Sequence, residues 1–297
     1  MRVQQLLAHP RLLASLPGWL IQLLGGWAGW WSYISADRDC KLARLNIYSS
    51  FPEMKRKEKE RLLQQALREN AKTFLEMPRL WRQGKDAYPE HRVSHKGLEI
   101  LNRAKDYGKG VILAVPYVGN WEIVVGFLST LNTEVLISST TPLAGLEEMA
   151  ARARAATGAT LVPPGEEEEE TFLQALRAGA LVCLFPDAFP LEGGEALSVP
   201  LFRGPVPTST LLPRLARASG AVVVYSYAER IPGNGYRIQW ILGPQEAYDP
   251  DPMIAAAAVN SGVRLCAKRH PGQYLWNNKR LSPRGESVAS NQGKGAA

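Results

Sequence analysis

Tyr117-Val-Gly-Asn-Trp-Glu122 sets a phenol and a carboxylate five residues apart across a Gly-Asn pair, directly after the apolar run Gly110-Val-Ile-Leu-Ala-Val115. The run reads as a buried strand, Gly119-Asn120 as a sharp turn, and Glu122 as a residue of the helix start that follows. An α/β fold builds its sites in that place. A carboxylate there can take a proton itself or orient another base. Tyrosine, with a reference pKa near 10, is a poor base at neutral pH and serves better as a hydrogen-bond donor. The histidines His9, His91, His95 and His270 stand at other spacings and read as surface or structural residues. No Gly-x-Ser-x-Gly elbow occurs, and neither Cys40, Cys183 nor Cys266 stands on a strand-to-helix turn with an obvious histidine, which disfavours a serine or cysteine hydrolase. Three cysteines far apart fit no zinc spacing and no disulfide framework, so the chain reads as metal-free and reducing-side.

The elements that must position these residues alternate from residue 97 onward. Gly110-Val115, Thr133-Ile137, Ala159-Val162, Ala180-Phe185, Ala221-Ala228 and Tyr236-Ile241 read as strands. Gly97-Lys105, Leu143-Ala156, Glu167-Arg177 and Pro207-Ser219 read as helices. That order predicts an α/β fold with a mixed, mainly parallel sheet and helices on both faces. Glu166 to Glu170 stand where a helix begins, and the helix dipole favours negative charge there, so the run reads as a solvated helix start and not as a metal site. Upstream, Pro52 to Trp81 reads as one or two amphipathic helices, with Leu62, Leu63, Ala66, Leu67, Ala71, Phe74 and Leu75 under a basic face. That face is a solvated surface or a docking surface for lipid phosphates or an acidic carrier. A net charge of +7 favours anionic partners, but aromatic residues are not interleaved with the cations as a nucleic-acid groove requires.

Residues 12 to 36 carry no charge and include Trp19, Trp27, Trp30, Trp31 and Tyr33, a crowding of aromatics that suits a membrane interface. Pro17, Gln22, Gly25, Gly26 and Gly29 dilute the segment, so it is a marginal spanning helix that could also lie in the leaflet or dock on the domain. A cleaved signal peptide fits less well, because the run ends in aromatics and Asp37-Arg38-Asp39. The division expected is a membrane-associated segment at 1–36, an α/β domain at 37–284, and a disordered tail at 285–297, where the composition turns polar.

Six pieces in order resemble the motifs of the bacterial lipid A late acyltransferases, the lauroyl- and myristoyltransferases of the lysophospholipid acyltransferase-like superfamily. They are Arg44-Leu-Asn46, Phe51-Pro-Glu53, the Tyr117–Glu122 turn, Leu184-Phe-Pro-Asp187, Val199-Pro-Leu-Phe-Arg-Gly204 and Gln273-Tyr-Leu-Trp276, and they cover nearly the whole length. The resemblance implies a glycerolipid acyltransferase-like fold at the cytoplasmic face of the inner membrane. It implies transfer of an acyl chain from acyl carrier protein or CoA to a hydroxyl of a lipid A-type or other membrane lipid, with no metal or organic cofactor. In the family motif His-x-x-x-x-Glu the histidine is the base and the acidic residue orients it; here Tyr117 holds the histidine position. Glu122 could then act as base with Tyr117 as donor, the acceptor could be more acidic, or the chain could bind acyl chains or acyl carrier protein for a partner enzyme without catalysis. The resemblance gives Asp187 a site-supporting role and asks for an arginine before Ala159-Val162, Arg154 by spacing or else Arg152. Asn120 and Trp121, within the turn, are candidates for substrate contact. Asn277-Asn278-Lys279-Arg280 departs from the histidine and basic pair that the family carries after Tyr-Leu-Trp, which with the lost base points away from a standard lipid A acceptor.

Overall fold

Ile112, Ala114, Val182 and Leu184 face one apolar core, and Val111, Leu113, Leu181 and Cys183 face another. Side chains that alternate in this way while staying apolar on both sides require a sheet covered on both faces. The computed structural model describes residues 7–83, 92–139, 146–190, 195–233 and 235–281. His91, residues 143–145 of one expected helix, and the expected tail at 285–297 lie outside them.

The sheet has seven strands: β1 (Val93–Lys96), β2 (Val111–Ala114), β3 (Val135–Ser138), β4 (Thr160–Val162), β5 (Leu181–Leu184), β8 (Val222–Ile231) and β9 (Gly235–Leu242). Their spatial order is β1-β9-β8-β2-β5-β3-β4, parallel except for the antiparallel β8-β9 pair. A separate antiparallel hairpin joins β6 (Ala196–Pro200) to β7 (Pro205–Ser209). That hairpin corrects the helix expected from Pro207: the prolines alternate with Val206 and Thr208, Pro207 faces Ser198, and the helix begins only at Leu211.

Among the described residues, the helices ahead of the sheet are α1 (Pro10–Ser15), α2 (Gly18–Ser35), α3 (Arg38–Ser50) and α4 (Arg56–Gln83). The amphipathic stretch is thus one 28-residue helix that continues past Pro78. Within the domain follow α5 (Leu98–Asp106), α6 (Trp121–Leu128), α7 (Glu147–Ala156), α8 (Glu168–Arg177), α9 (Leu211–Ser219) and α10 (Pro252–Arg269). Glu168 to Glu170 occupy the first turn of α8, as the dipole argument expects.

Among the described residues no helix is long and apolar enough to cross a membrane. The aromatic segment is broken at Leu16-Pro17, and α2 docks along α4 through its glycines. A Cβ on Gly25 would come within 2.6 Å of Lys72 Cα, and one on Gly29 would overlap the backbone of Leu67 and Arg68. Helix axes can come this close only where no side chain intervenes. The opposite face of α2 leaves Trp19, Leu23, Trp27, Trp30, Trp31 and Ile34 exposed, with Trp27 and Trp31 stacked at 6.1 Å. The helix ends at Ser35, Ala36 takes the left-handed conformation, and Asp37 caps α3 by accepting from Cys40 N at 2.9 Å.

Placing valine at both Gly25 and Gly29 should unseat α2 without touching the sheet. Chymotrypsin is expected to cut within residues 19–33 at least about tenfold faster in that variant, while fragments from β2 and β5 stay protected. Cutting at the wild-type rate would mean that this seam does not hold the helix.

Candidate active site

The parallel ladder pairs Ala114 with Leu184, and both strands then leave the sheet through a proline, Val115-Pro116-Tyr117 and Phe185-Pro186-Asp187. Equal exits from paired positions bring residue 117 beside residue 187. The Asp187 carboxylate accepts the Tyr117 backbone N–H, at 3.2 Å to Oδ1 and 3.0 Å to Oδ2. Asp187 is fully buried, and burial raises its pKa to about 6 against the pull of that N–H and of Arg280.

The chain turns at Gly119 with φ +64. Its N–H donates to Gln273 O at 2.9 Å, its carbonyl accepts from Thr73 Oγ1 at 3.1 Å, and Asn120 N–H donates to Ala228 O at 2.9 Å. Helix α6 then starts at Trp121 and puts Glu122 in its first turn, as the sequence spacing predicts.

Glu122 meets Arg154 of α7 in a two-pronged ion pair, with Arg154 NH2 donating to Oε1 at 2.6 Å and Arg154 Nε to Oε2 at 3.4 Å. Their side chains are 3% and 1% exposed, so neither charge is stabilised by water. Burial alone would weaken the Arg154 cation, but the Glu122 charge and hydrogen bonds override it and hold the guanidinium protonated. Its other face lies over the Phe185 ring at 4.8 Å. Phe185 stacks on Tyr117 at 5.8 Å, and Tyr117 contacts the Trp121 ring at 4.8 Å. Burial, reinforced by the Asp187 charge, pushes the Tyr117 phenol well above its usual range, so it is neutral at physiological pH. No hydrogen bond joins its hydroxyl to Glu122 or to any other described residue.

Of the expected site residues, Tyr117, Asn120, Trp121, Glu122, Arg154 and Asp187 are therefore gathered at the carboxyl ends of β2 and β5. Arg152 is not: it points to solvent from the other side of α7 and pairs with Glu148. His95 accepts from Trp240 Nε1 at 3.2 Å, and His270 pairs with Glu229 at 2.8 Å, so both are occupied elsewhere. Burial pushes the Cys183 thiol up to about 12, which leaves it no nucleophile. In the departing segment 277–280, Asn278 Nδ2 donates to Asp187 O at 2.8 Å and Arg280 is buried against Pro207 O, Thr208 and Asn260, while Lys279 is exposed.

Sequence reasoning missed the other charged group beside the turn. Glu76 of α4 accepts Asn120 Nδ2 at 2.9 Å and Tyr236 OH at 2.8 Å on Oε2, and Arg230 NH1 at 2.5 Å and Gln22 Nε2 on Oε1. Arg230 also reaches Glu69 at 2.9 Å and Thr73 at 3.0 Å. A signal existed in the row Asn70, Thr73, Glu76, three polar residues at helical spacing bordering the apolar stripe of α4.

A family model described as bacterial lipid A biosynthesis acyltransferase matches residues 6–282. The chain is 24% identical to the lipid A biosynthesis lauroyltransferase of Escherichia coli K12, over 94% of this chain and 90% of the relative. It is 25% identical to the lipid A biosynthesis palmitoleoyltransferase of the same organism, over 83% and 80%. A lipid A biosynthesis acyltransferase of Shigella flexneri matches at the same identity and coverage.

Asp187 carries a pH signature. Its folded pKa of about 6 lies above the ordinary 3.8, so the folded state holds the proton more tightly. This contribution is fully present below about pH 4 and is lost as pH rises through 6, a decline of up to roughly 3 kcal/mol. Asp187→Asn keeps an acceptor for Tyr117 N–H but cannot ionise, so urea unfolding at pH 4, 5, 6 and 7 should show that decline in wild type and not in the variant. Parallel profiles would place the titration elsewhere.

Proposed function

Because the chain belongs to the bacterial lipid A biosynthesis acyltransferase family, we propose that it moves a fatty acyl chain from an acyl carrier protein or CoA thioester to a hydroxyl of a lipid A-type membrane lipid. The observation that carries this reading is the assembly of Glu122, Arg154 and Asp187 around residue 117, all buried, all at strand or helix ends and all acting electrostatically on the Tyr117 phenol. A buried ion pair contributes little net stability over apolar packing of the same volume, so this one reads as part of a site and not as a stabilising contact.

Transfer needs an acceptor for the hydroxyl proton and a donor for the oxyanion that forms on the thioester carbonyl. Glu122 Oε2, the oxygen that Arg154 holds at the longer distance of 3.4 Å, is our choice of acceptor. The neutral Tyr117 hydroxyl, without a hydrogen bond among the described residues, is the donor. The lipid oxygen adds to the carbonyl carbon while its proton passes to Glu122. The tetrahedral intermediate then collapses with cleavage of the C–S bond, and the proton leaves with the thiolate. A non-catalytic role, holding acyl chains or carrier protein for a partner enzyme, is favoured by one observation, the absence of an imidazole at residue 117.

The protein works, in this reading, at the cytoplasmic face of the inner membrane. The exposed aromatic face of α2 supports an in-plane attachment, since tryptophan rings settle at the headgroup level. The basic outer face of α4, which includes Arg56, Lys57 and Arg61, suits anionic headgroups or the acidic carrier.

Incubation of the purified protein with labelled acyl carrier protein and a membrane lipid extract, read by mass spectrometry, tests the reaction. Acylated lipid is expected, and Glu122→Gln should lower its formation at least about a hundredfold. Tyr117→Phe should cost a comparable factor if the hydroxyl serves the oxyanion. Inert wild type with a gain in Tyr117→His would select the binding role, since the imidazole restores the family base. Attachment is checked separately: the protein should stay with membranes through a high-salt wash and leave with detergent, whereas recovery in the soluble fraction at low salt would contradict it.

A further inference from the structure

Glu76 lies 8% exposed where α2, the site turn, β8 and β9 meet α4, and its two oxygens take four donors, two each. A carboxylate has about four lone-pair sites, so this one is saturated. Two of the donors have nothing to do with each other in sequence. Gln22 comes from α2, on the face that carries the docking glycine Gly25 one turn later. Asn120 comes from the site turn, one residue before α6 and two before Glu122. Arg230 and Tyr236 hold the carboxylate itself, Arg230 being fixed on the far side by Glu69 and Thr73. The docking face of α2 and the turn leading into the helix that bears Glu122 are therefore bonded to one side chain.

We propose that Glu76 is a positioning residue that relays the seating of α2 on a lipid surface to the Gly119-Asn120 turn, through Gln22 on one side and Asn120 on the other. This rests on the membrane-surface reading of α2 given above. Lipid contact with the exposed aromatic face orders α2 along α4 and restrains Gln22. Glu76, with its donors complete, then restrains Asn120, and with it the first turn of α6. Coupling of this kind needs no large displacement, because a segment already ordered by one contact loses less freedom on making the next. Arg154 sets the Glu122 carboxylate from the opposite side, so the relay acts on the backbone that carries Glu122 and not on its charge.

The test is amide hydrogen exchange of residues 117–125 in the full chain, with and without vesicles of three parts phosphatidylethanolamine to one part phosphatidylglycerol. Wild type should bind the vesicles and exchange at least about threefold more slowly in this segment when bound. Gln22→Ala keeps the aromatic face and should bind equally well, yet lose the slowing. Glu76→Gln should exchange faster than wild type in solution and show no response to lipid; if that variant does not fold, Gln22→Ala decides alone. Bound wild type without slowing, or Gln22→Ala that slows as wild type does, would overturn the relay while leaving membrane attachment intact. Wild type that does not bind vesicles would remove the membrane reading and the relay with it.

Discussion

The contact on which the site depends is the approach of Gly119 to the carbonyl of Ala228. A side chain at residue 119 would overlap that oxygen, and φ of +64 would strain any other residue. With hydrogen alone in the way, strand β8, the segment after α10 and helix α4 all bond to the backbone of residues 118–120. The turn is thus fixed by three elements distant in sequence, and the direction of Asn120 and Glu122 follows from it. Neither side chain caps the helix or needs to search for its partner.

Two ionic groups flank this turn and divide the work. Glu122 and Arg154 form a closed pair against an aromatic stack, with one carboxylate oxygen held less tightly than the other. Glu76 and Arg230 form an open network that ties together α2, α4, β8 and β9. Breaking either by removing one partner would strand a buried charge, at about 3–5 kcal/mol, although replacing both partners by apolar groups could be nearly neutral. Charge pairs of that sort specify an arrangement more than they stabilise it. Here they hold the Asn120 and Glu122 side chains that the turn presents.

Most strands of the large sheet and the Tyr117–Glu122 turn are legible because each leaves a local trace, an apolar run or a Gly-Asn pair, whereas Asp187 and Arg154 come from the family resemblance. Arg152 and Arg154 stand two apart on one helix, nearly opposite each other, and spacing favoured the buried one. The end of β7, from Pro207 to Ser209, reads as the start of the following helix because small residues and leucines downstream of Pro207 obscure the alternation before it. Glu76 was not legible as part of the site, since its donors come from residues 22, 120, 230 and 236, and no single-chain period links those positions. The motif pieces flanking the turn proved to share one place: Phe51, Phe202 and Trp276 pack ring against ring, and Asn46 Nδ2 donates to Trp276 O at 2.7 Å.

The route of residues 273–276 bears on the order in which the molecule is made. Gln273 O receives Gly119 N–H, Leu275 N–H donates to Tyr117 O at 3.0 Å, and the Gln273 side chain brackets the backbone of Arg230. Two of the backbone bonds that shape the turn are therefore supplied by residues 273–276. During synthesis β2 and β5 can pair before that segment is made, while the turn between β2 and α6 then lacks two of its backbone partners. The site is therefore closed by a segment that follows every strand of its sheet in the chain.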